Sequence, residues 1–154
     1  MKKTLSILTC LVLFVGCDSQ PEKEKFTRKE SKTTVINLTT DNGMKFSQET
    51  IKVKSGQTIN LTLKHMGNGT KESWGHNFVL LKKDIDVNDF AARASVSVDS
   101  DYIPEGNDII AKTQMIGGGE TVKITFSAPL PGIYDFLCTF PGHSQMMRGK
   151  FIVE

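Results

Sequence analysis

From Val35 to the C-terminus the chain is written in short stretches of alternating polar and apolar residues, each closed by a turn signal. Thr50-Ile51-Lys52-Val53-Lys54 and Thr58-Ile59-Asn60-Leu61-Thr62-Leu63 alternate residue by residue, so each can bury one face and wet the other, as half-buried strands do. Val35 to Leu38, Asn77 to Leu81, Thr121 to Phe126, Ile133 to Cys138 and Lys150 to Val153 are further candidate strands. Asp41-Asn42-Gly43, Ser55-Gly56, Gly67-Asn68-Gly69, Gly117 to Gly119 and Pro129 to Gly132 punctuate them. One segment departs from the pattern: Asp86 to Val98 spaces Val87, Phe90, Ala91 and Ala94 as on a helix, with Asp86 or Asn88 available as its cap. About seven short strands predict an all-β fold, a Greek-key sandwich or barrel with one short helix inserted between strands, rather than an α/β fold.

The strands are preceded by a different kind of chain. Lys2 and Lys3 stand before an almost unbroken apolar run from Leu5 to Val15, the layout of a secretory signal. The run is shorter than the roughly 20 apolar residues a membrane-spanning helix needs. Gly16-Cys17-Asp18-Ser19 follows, which resembles a bacterial lipoprotein signal whose cysteine is lipidated and becomes the first residue of the mature chain, although Phe14 stands where leucine is more usual. The plainer alternative is an ordinary signal cleaved near Ser19; either takes the mature chain out of the cytoplasm. Residues 1–16 are thus assigned to a signal and 17–32, highly charged with the single aromatic Phe26, to a flexible tether. Residues 33–154 form the domain.

From Cys17 onward 138 residues remain (154 less 16), a common size for one domain. Setting Lys2 and Lys3 aside leaves 17 basic residues (19 less 2) against 17 acidic ones, so there is no basic excess of the kind nucleic acid demands.

Of the three cysteines, Cys10 lies in the apolar run and Cys17 would carry the lipid, which leaves Cys138 alone. A lone thiol in an oxidising compartment argues for a bound metal or a reactive role rather than simple burial. In Cys138-Thr139-Phe140-Pro141-Gly142-His143-Ser144-Gln145-Met146-Met147, a thiolate, an imidazole and a thioether share one loop between strands. Soft sulfur and nitrogen donors suit copper, and a trigonal two-histidine, one-cysteine site with a weak axial methionine is the arrangement used for electron transfer. The second histidine must come from elsewhere in the chain, which has three. His76, in Trp74-Gly75-His76-Asn77-Phe78-Val79-Leu80, opens a strand beside Gly75, whose backbone can approach a metal closely. His65 lies in a glycine-flanked turn region and is left over.

The segment Cys138 to Ser144, with Met147 following, resembles the copper loop of the azurins, and Gly75-His76-Asn77 resembles their upstream ligand motif. The likeness runs from about Thr40 to the C-terminus and takes in Ile116-Gly117-Gly118-Gly119-Glu120 and the position of His65. Plastocyanin-like and pseudoazurin-like loops are shorter than this one. The resemblance implies one copper per chain, cycling between Cu(I) and Cu(II), held by His76, Cys138, His143 and axial Met147 with the Gly75 carbonyl near it. Met146 would be a packing or surface thioether. It also implies that Asn77, Thr139 and Phe140 support the ligands, Asn77 by tying the two ligand-bearing loops together and Phe140 through a backbone N–H on the Cys138 sulfur. His143 would reach solvent within an apolar ring drawn from Met44, Trp74, Phe140 and Pro141.

By the same resemblance the protein is a monomeric electron carrier, not an enzyme. It would dock briefly with a c-type cytochrome or a terminal reductase in the periplasm or cell envelope, and reach the membrane through lipid on Cys17. His65 matches a histidine near the site that does not bind metal, serving either as a hydrogen-bonded packing residue or in pH-dependent tuning. Two departures stand out: Trp74 occupies a position where methionine is usual while Phe78 replaces a core tryptophan, and no cysteine is left for the family's disulfide. Stability must then rest on the core and, in part, on bound copper.

Other chemistries fit less well. Cys138 and His143 could form the nucleophile–base pair of a thiol hydrolase, but no orienting acid lies in the loop and the methionine would have no purpose. A copper store would cluster several cysteines or methionines, and a copper reductase would need histidines for a second metal that this chain lacks.

Overall fold

The computed structural model describes residues 32–154. The signal segment, Cys17 and the tether up to residue 31 lie outside the described residues. Eight strands form: β1 (Thr33–Thr40), β2 (Thr50–Val53), β3 (Thr58–His65), β4 (Val79–Leu81), β5 (Ile109–Lys112), β6 (Thr121–Ser127), β7 (Gly132–Leu137) and β8 (Arg148–Val153). A single helical turn, α1 (Lys71–Trp74), precedes β4, and the longer helix α2 (Val87–Ser95) follows it. One sheet has the order β1-β3-β6 and the other β2-β8-β7-β4-β5. Because β1, β2 and β3 alternate between the sheets, β1 pairs with β3 in parallel and β2 with β8 in parallel, while the remaining pairs are antiparallel. The result is a Greek-key β-sandwich.

Alternation in the sequence becomes a two-sided sheet. Ile36 and Leu38 of β1 and Ile59, Leu61 and Leu63 of β3 are buried, and they meet Ile51, Val53, Tyr134, Phe136, Phe151 and Val153 of the opposite sheet. Phe78 lies at the centre, fully buried, 5.2 Å from the ring of Phe136 and 6.3 Å from that of Phe46. Strand β4 does not alternate because it is covered on both faces, as continuous apolar strands generally are. Leu80 points into the main core, whereas Val79 and Leu81 join Leu137 beneath Phe90 and Ala94 of α2.

Helix α2 starts at the cap the sequence offered first: the Asp86 carboxylate accepts from the N–H groups of Asn88 and Asp89. It ends at Ser95, short of the predicted Val98, because Val96 and Val98 are 79% and 60% exposed and do not continue the apolar face. Strand β5 and the turn α1 were not foreseen. Strand β5 lies at a sheet edge with Ile109 to Ala111 only half-buried and no alternation to betray it. The turn α1 is too short to show a period.

Candidate metal centre

Two loops at one end of the sandwich supply the chemistry. His76 lies just before β4, where its backbone N–H donates to the Ile116 carbonyl and its carbonyl accepts from the Ile116 N–H, both at 2.9 Å. Gly75 precedes it because nothing larger fits: a Cβ there would run into the Lys71 carbonyl and stand 2.8 Å from Cγ of Met115. Cys138 follows β7, and its N–H donates to the Met147 carbonyl at 2.9 Å, closing the loop at its base. Within the loop, His143 N–H donates to Phe140, and the N–H groups of Met146 and Met147 return to the His143 carbonyl at 3.0 and 2.8 Å. Gly142 makes this tight path possible at φ +81°.

The closed loops bring three donors together. Nδ1 of His76 and Nδ1 of His143 each lie 3.8 Å from Sγ of Cys138, and all three donor atoms fall within 4.8 Å of one another. An ion at the centre of a trigonal set, with nitrogen at about 2.0 Å and sulfur at about 2.3 Å, would require S···N separations of about 3.7 Å. The residues present fit a small, soft transition-metal ion. The Gly75 carbonyl lies 4.0 Å from the same sulfur. Met147 is fully buried and packs in the cluster that contains Cys138, whereas Met146 is 51% exposed.

The protonation states suit metal capture. The other ring nitrogen of His76, Nε2, lies 2.9 Å from the Asp41 carbonyl, so it carries the hydrogen and leaves the Nδ1 lone pair facing the sulfur. Burial pulls His76 down to about 4, against the Asp41 carbonyl, and pulls His143 down to about 4 as well. Both imidazoles are therefore neutral at neutral pH. Burial pushes the Cys138 thiol up to about 11, opposed by the backbone N–H groups of Asn77 and Phe140. A cation held between the donors would reverse that balance, since a coordinating thiol loses its proton outright, so binding would release a proton and strengthen with pH.

Buried polar groups brace the two loops. Asn77 Nδ2 donates to Thr139 Oγ1 at 2.7 Å, and the Thr139 N–H donates to Asn77 Oδ1 at 2.9 Å, with both residues out of solvent. His65 is buried too, and both of its ring nitrogens are engaged: Nδ1 accepts from Gly67 N–H and Nε2–H donates to the Trp74 carbonyl, each at 3.0 Å. Its ring lies 4.6 Å from that of His76, tilted by 40°, without joining the donor group.

The rim is aromatic. His143, 3% exposed, lies between Trp74 at 5.7 Å and Phe140 at 4.6 Å. Pro141 is exposed on the same loop, and Met44 is half-buried in the loop whose Asp41 holds His76. Sequence reasoning missed three participants. Asp41 acts through its carbonyl, which no side-chain pattern reveals. Met115 backs Gly75, and Tyr102, at φ +61°, brings its ring 5.5 Å from Phe140.

Residues 33–154 match the family of copper binding proteins described as plastocyanin/azurin. The chain is 40% identical over 117 residues to the azurin of Pseudomonas fluorescens biotype C, covering 72% of this chain and 91% of that protein. It is 37% identical over 114 residues to outer membrane protein H.8 of Neisseria meningitidis serogroup B; the match takes in 71% of this chain but 62% of the relative, less than two thirds of its length. In three dimensions it resembles auracyanin A, a "blue" copper protein of Chloroflexus aurantiacus, with a TM-score of 0.69 at 29% identity over 79% of this chain and 99% of that one. With two imidazoles and one buried thiol converging at the end of such a sandwich, the chain belongs to the plastocyanin/azurin family of copper-binding proteins.

Proposed function

We propose that the protein carries single electrons outside the cytoplasm through one copper that His76, Cys138, His143 and Met147 would hold, with the Gly75 carbonyl beside them. The convergence of two Nδ1 atoms on one buried sulfur, each at 3.8 Å, carries this reading. Bound there, copper would supply a one-electron Cu(I)/Cu(II) couple, the chemistry for which soft trigonal sites with a weak axial thioether are used.

The chain's own part is constraint. The Asp41 carbonyl fixes the tautomer of His76, the paired Asn77–Thr139 hydrogen bonds lock one ligand loop to the other, and the Phe46, Phe78 and Phe136 rings fill the sandwich core behind the site. Donors held in this way move little when the charge at the centre changes. Among the described residues they form a single group of this kind, which favours a carrier over an enzyme with a second, substrate-binding metal.

His143, ringed by Trp74, Phe140, Pro141 and Met44, offers the face for a c-type cytochrome or a terminal reductase. Such an encounter is brief and small, below about 1,200 Å² of buried surface. We read the chain as a monomer. Residues 1–16 would direct export, Cys17 would carry lipid, and residues 17–32 would tether the 33–154 domain to a membrane of the cell envelope. The printed name of the Neisseria relative, an outer membrane protein, supports that placement. Among the described residues no helix is long and apolar enough to cross a membrane.

The test is an optical titration of the full chain in detergent with Cu(II), then ascorbate. An intense visible absorption from a copper–thiolate bond, bleached by ascorbate and restored in air, is expected. No colour, with Cys138 still alkylating readily, would transfer the argument to a reactive thiol. Mass spectrometry of the mature N-terminus separates a lipid on Cys17 from cleavage near Ser19.

A further inference from the structure

Trp74 is the chain's single tryptophan, and it closes the metal centre over His143. Its indole stacks on the imidazole with 28° between the planes, yet it remains 37% exposed while the imidazole is 3% exposed. Its placement is built rather than loose. The Trp74 N–H donates to the Thr70 carbonyl at 2.9 Å, and its carbonyl accepts from the buried His65 at 3.0 Å. A Cβ at residue 69 would lie 2.9 Å from both Cγ and Cδ1 of the indole, so Gly69 is what makes room for the ring. On its far side His143 meets Phe140, which is half-buried and backed in turn by Tyr102. A partner arriving at this end of the sandwich therefore meets the indole before the imidazole.

We propose that Trp74 is interposed between His143 and the redox partner, so that the electron crosses the stacked indole–imidazole pair rather than leaving from the imidazole edge. The proposal rests on the electron-carrier reading. Copper held by His76, Cys138 and His143 would supply one electron as Cu(I) becomes Cu(II), and the haem iron of a c-type cytochrome would accept it as Fe(III) becomes Fe(II). No proton or atom changes hands, and the indole bridges without being oxidised. A rigid aromatic face supplies contact area at little entropic cost and keeps π-density across the gap, which a saturated side chain of similar size does not.

Copper-loaded full chain in detergent, as wild type, Trp74→Phe and Trp74→Leu, would be mixed with ferricytochrome c in a stopped-flow instrument after reduction. Leucine preserves an apolar surface but removes the ring. It should lower the second-order rate about tenfold, the scale of effect seen when an aromatic anchor is truncated, while phenylalanine stays within about twofold. The copper–thiolate absorption must be unchanged in both variants, which shows that the site has formed. Independently of any transfer rate, the single indole should lose much of its fluorescence when the wild-type chain is loaded with copper. A Trp74→Leu rate equal to or above wild type, or indole emission indifferent to loading, would overturn the proposal. Failure of the wild-type chain itself to colour with copper would overturn the carrier reading, and this inference with it.

Discussion

His76 and His143 reach the same sulfur from opposite kinds of structure. His76 is fixed by polar backbone contacts drawn from distant parts of the chain: Ile116 on both sides of its peptide and Asp41 on its ring. His143 belongs to a loop that closes on itself, and beyond its Nδ1 contact with the Cys138 sulfur its ring is held by Trp74, Phe140 and His76. Hydrogen bonds to a buried ring set its tautomer and direction, whereas aromatic neighbours limit its tilt and join it to the rim. One histidine is the anchor of the site and the other its outlet.

The sharpest way to break that comparison is to delete each ring. His76→Gly and His143→Gly should both abolish the copper–thiolate colour. Added imidazole should restore it only for His143→Gly, because that cavity opens near the surface while the other lies under the Asp41 loop. Equal rescue, read by absorbance, would mean the two positions are equally open.

Removing the brace should come next in size. Asn77→Ala deletes both hydrogen bonds to Thr139 and leaves a buried N–H without a partner, a loss of about 2–4 kcal/mol in denaturant unfolding. Pro141→Ala, at an exposed position in the outlet loop, should cost no more than about 0.5 kcal/mol.

Acid should then weaken the metal-free protein. Both histidines fall to about 4 when folded, below an unfolded value near 6.5, so the unfolded chain binds more protons between those limits. Their contribution is fully present above pH 6.5 and is lost as pH falls toward 4, with a slope of about 1.4 kcal/mol per pH unit for each histidine. Removing either one should lower the slope of unfolding free energy against pH in that window by up to about 1.4 kcal/mol per pH unit. An unchanged slope would show that the two do not share the burial that lowers them.

The smallest effects concern the neighbouring methionines. Leucine replaces methionine at little cost in volume, less than about 1.5 kcal/mol in stability. If Met147 supplies the proposed weak thioether, Met147→Leu should nonetheless raise the reduction potential, while Met146→Leu, at an exposed side chain, should leave it where it was. Voltammetry of the two variants distinguishes them.

Much of this was legible in the chain. Alternation at Thr50 to Lys54 and Thr58 to Leu63 marked strands that form over Thr50–Val53 and Thr58–His65, and Asp86 announced its helix, because strand period and capping are local properties. The thiol, imidazole and thioether between Cys138 and Met147 were readable for the same reason. Strand β5 was not, since an edge strand half-covered on each residue carries no period. Nor could Asp41 or Met115 be found: one acts through a carbonyl and the other by lying against a glycine.

By itself, then, the sequence determined the donor types and the sheet faces, because both are written in residues a few positions apart. Only the tertiary structure decided that His76 meets Cys138 across 62 positions, through the pairing of β4 with β7 and the Ile116 bridge. It decided likewise that Phe78 fills the core while Trp74 stacks at the rim. Contacts of that range depend on how two sheets register and pack, and no short stretch of chain encodes where its distant neighbour will lie.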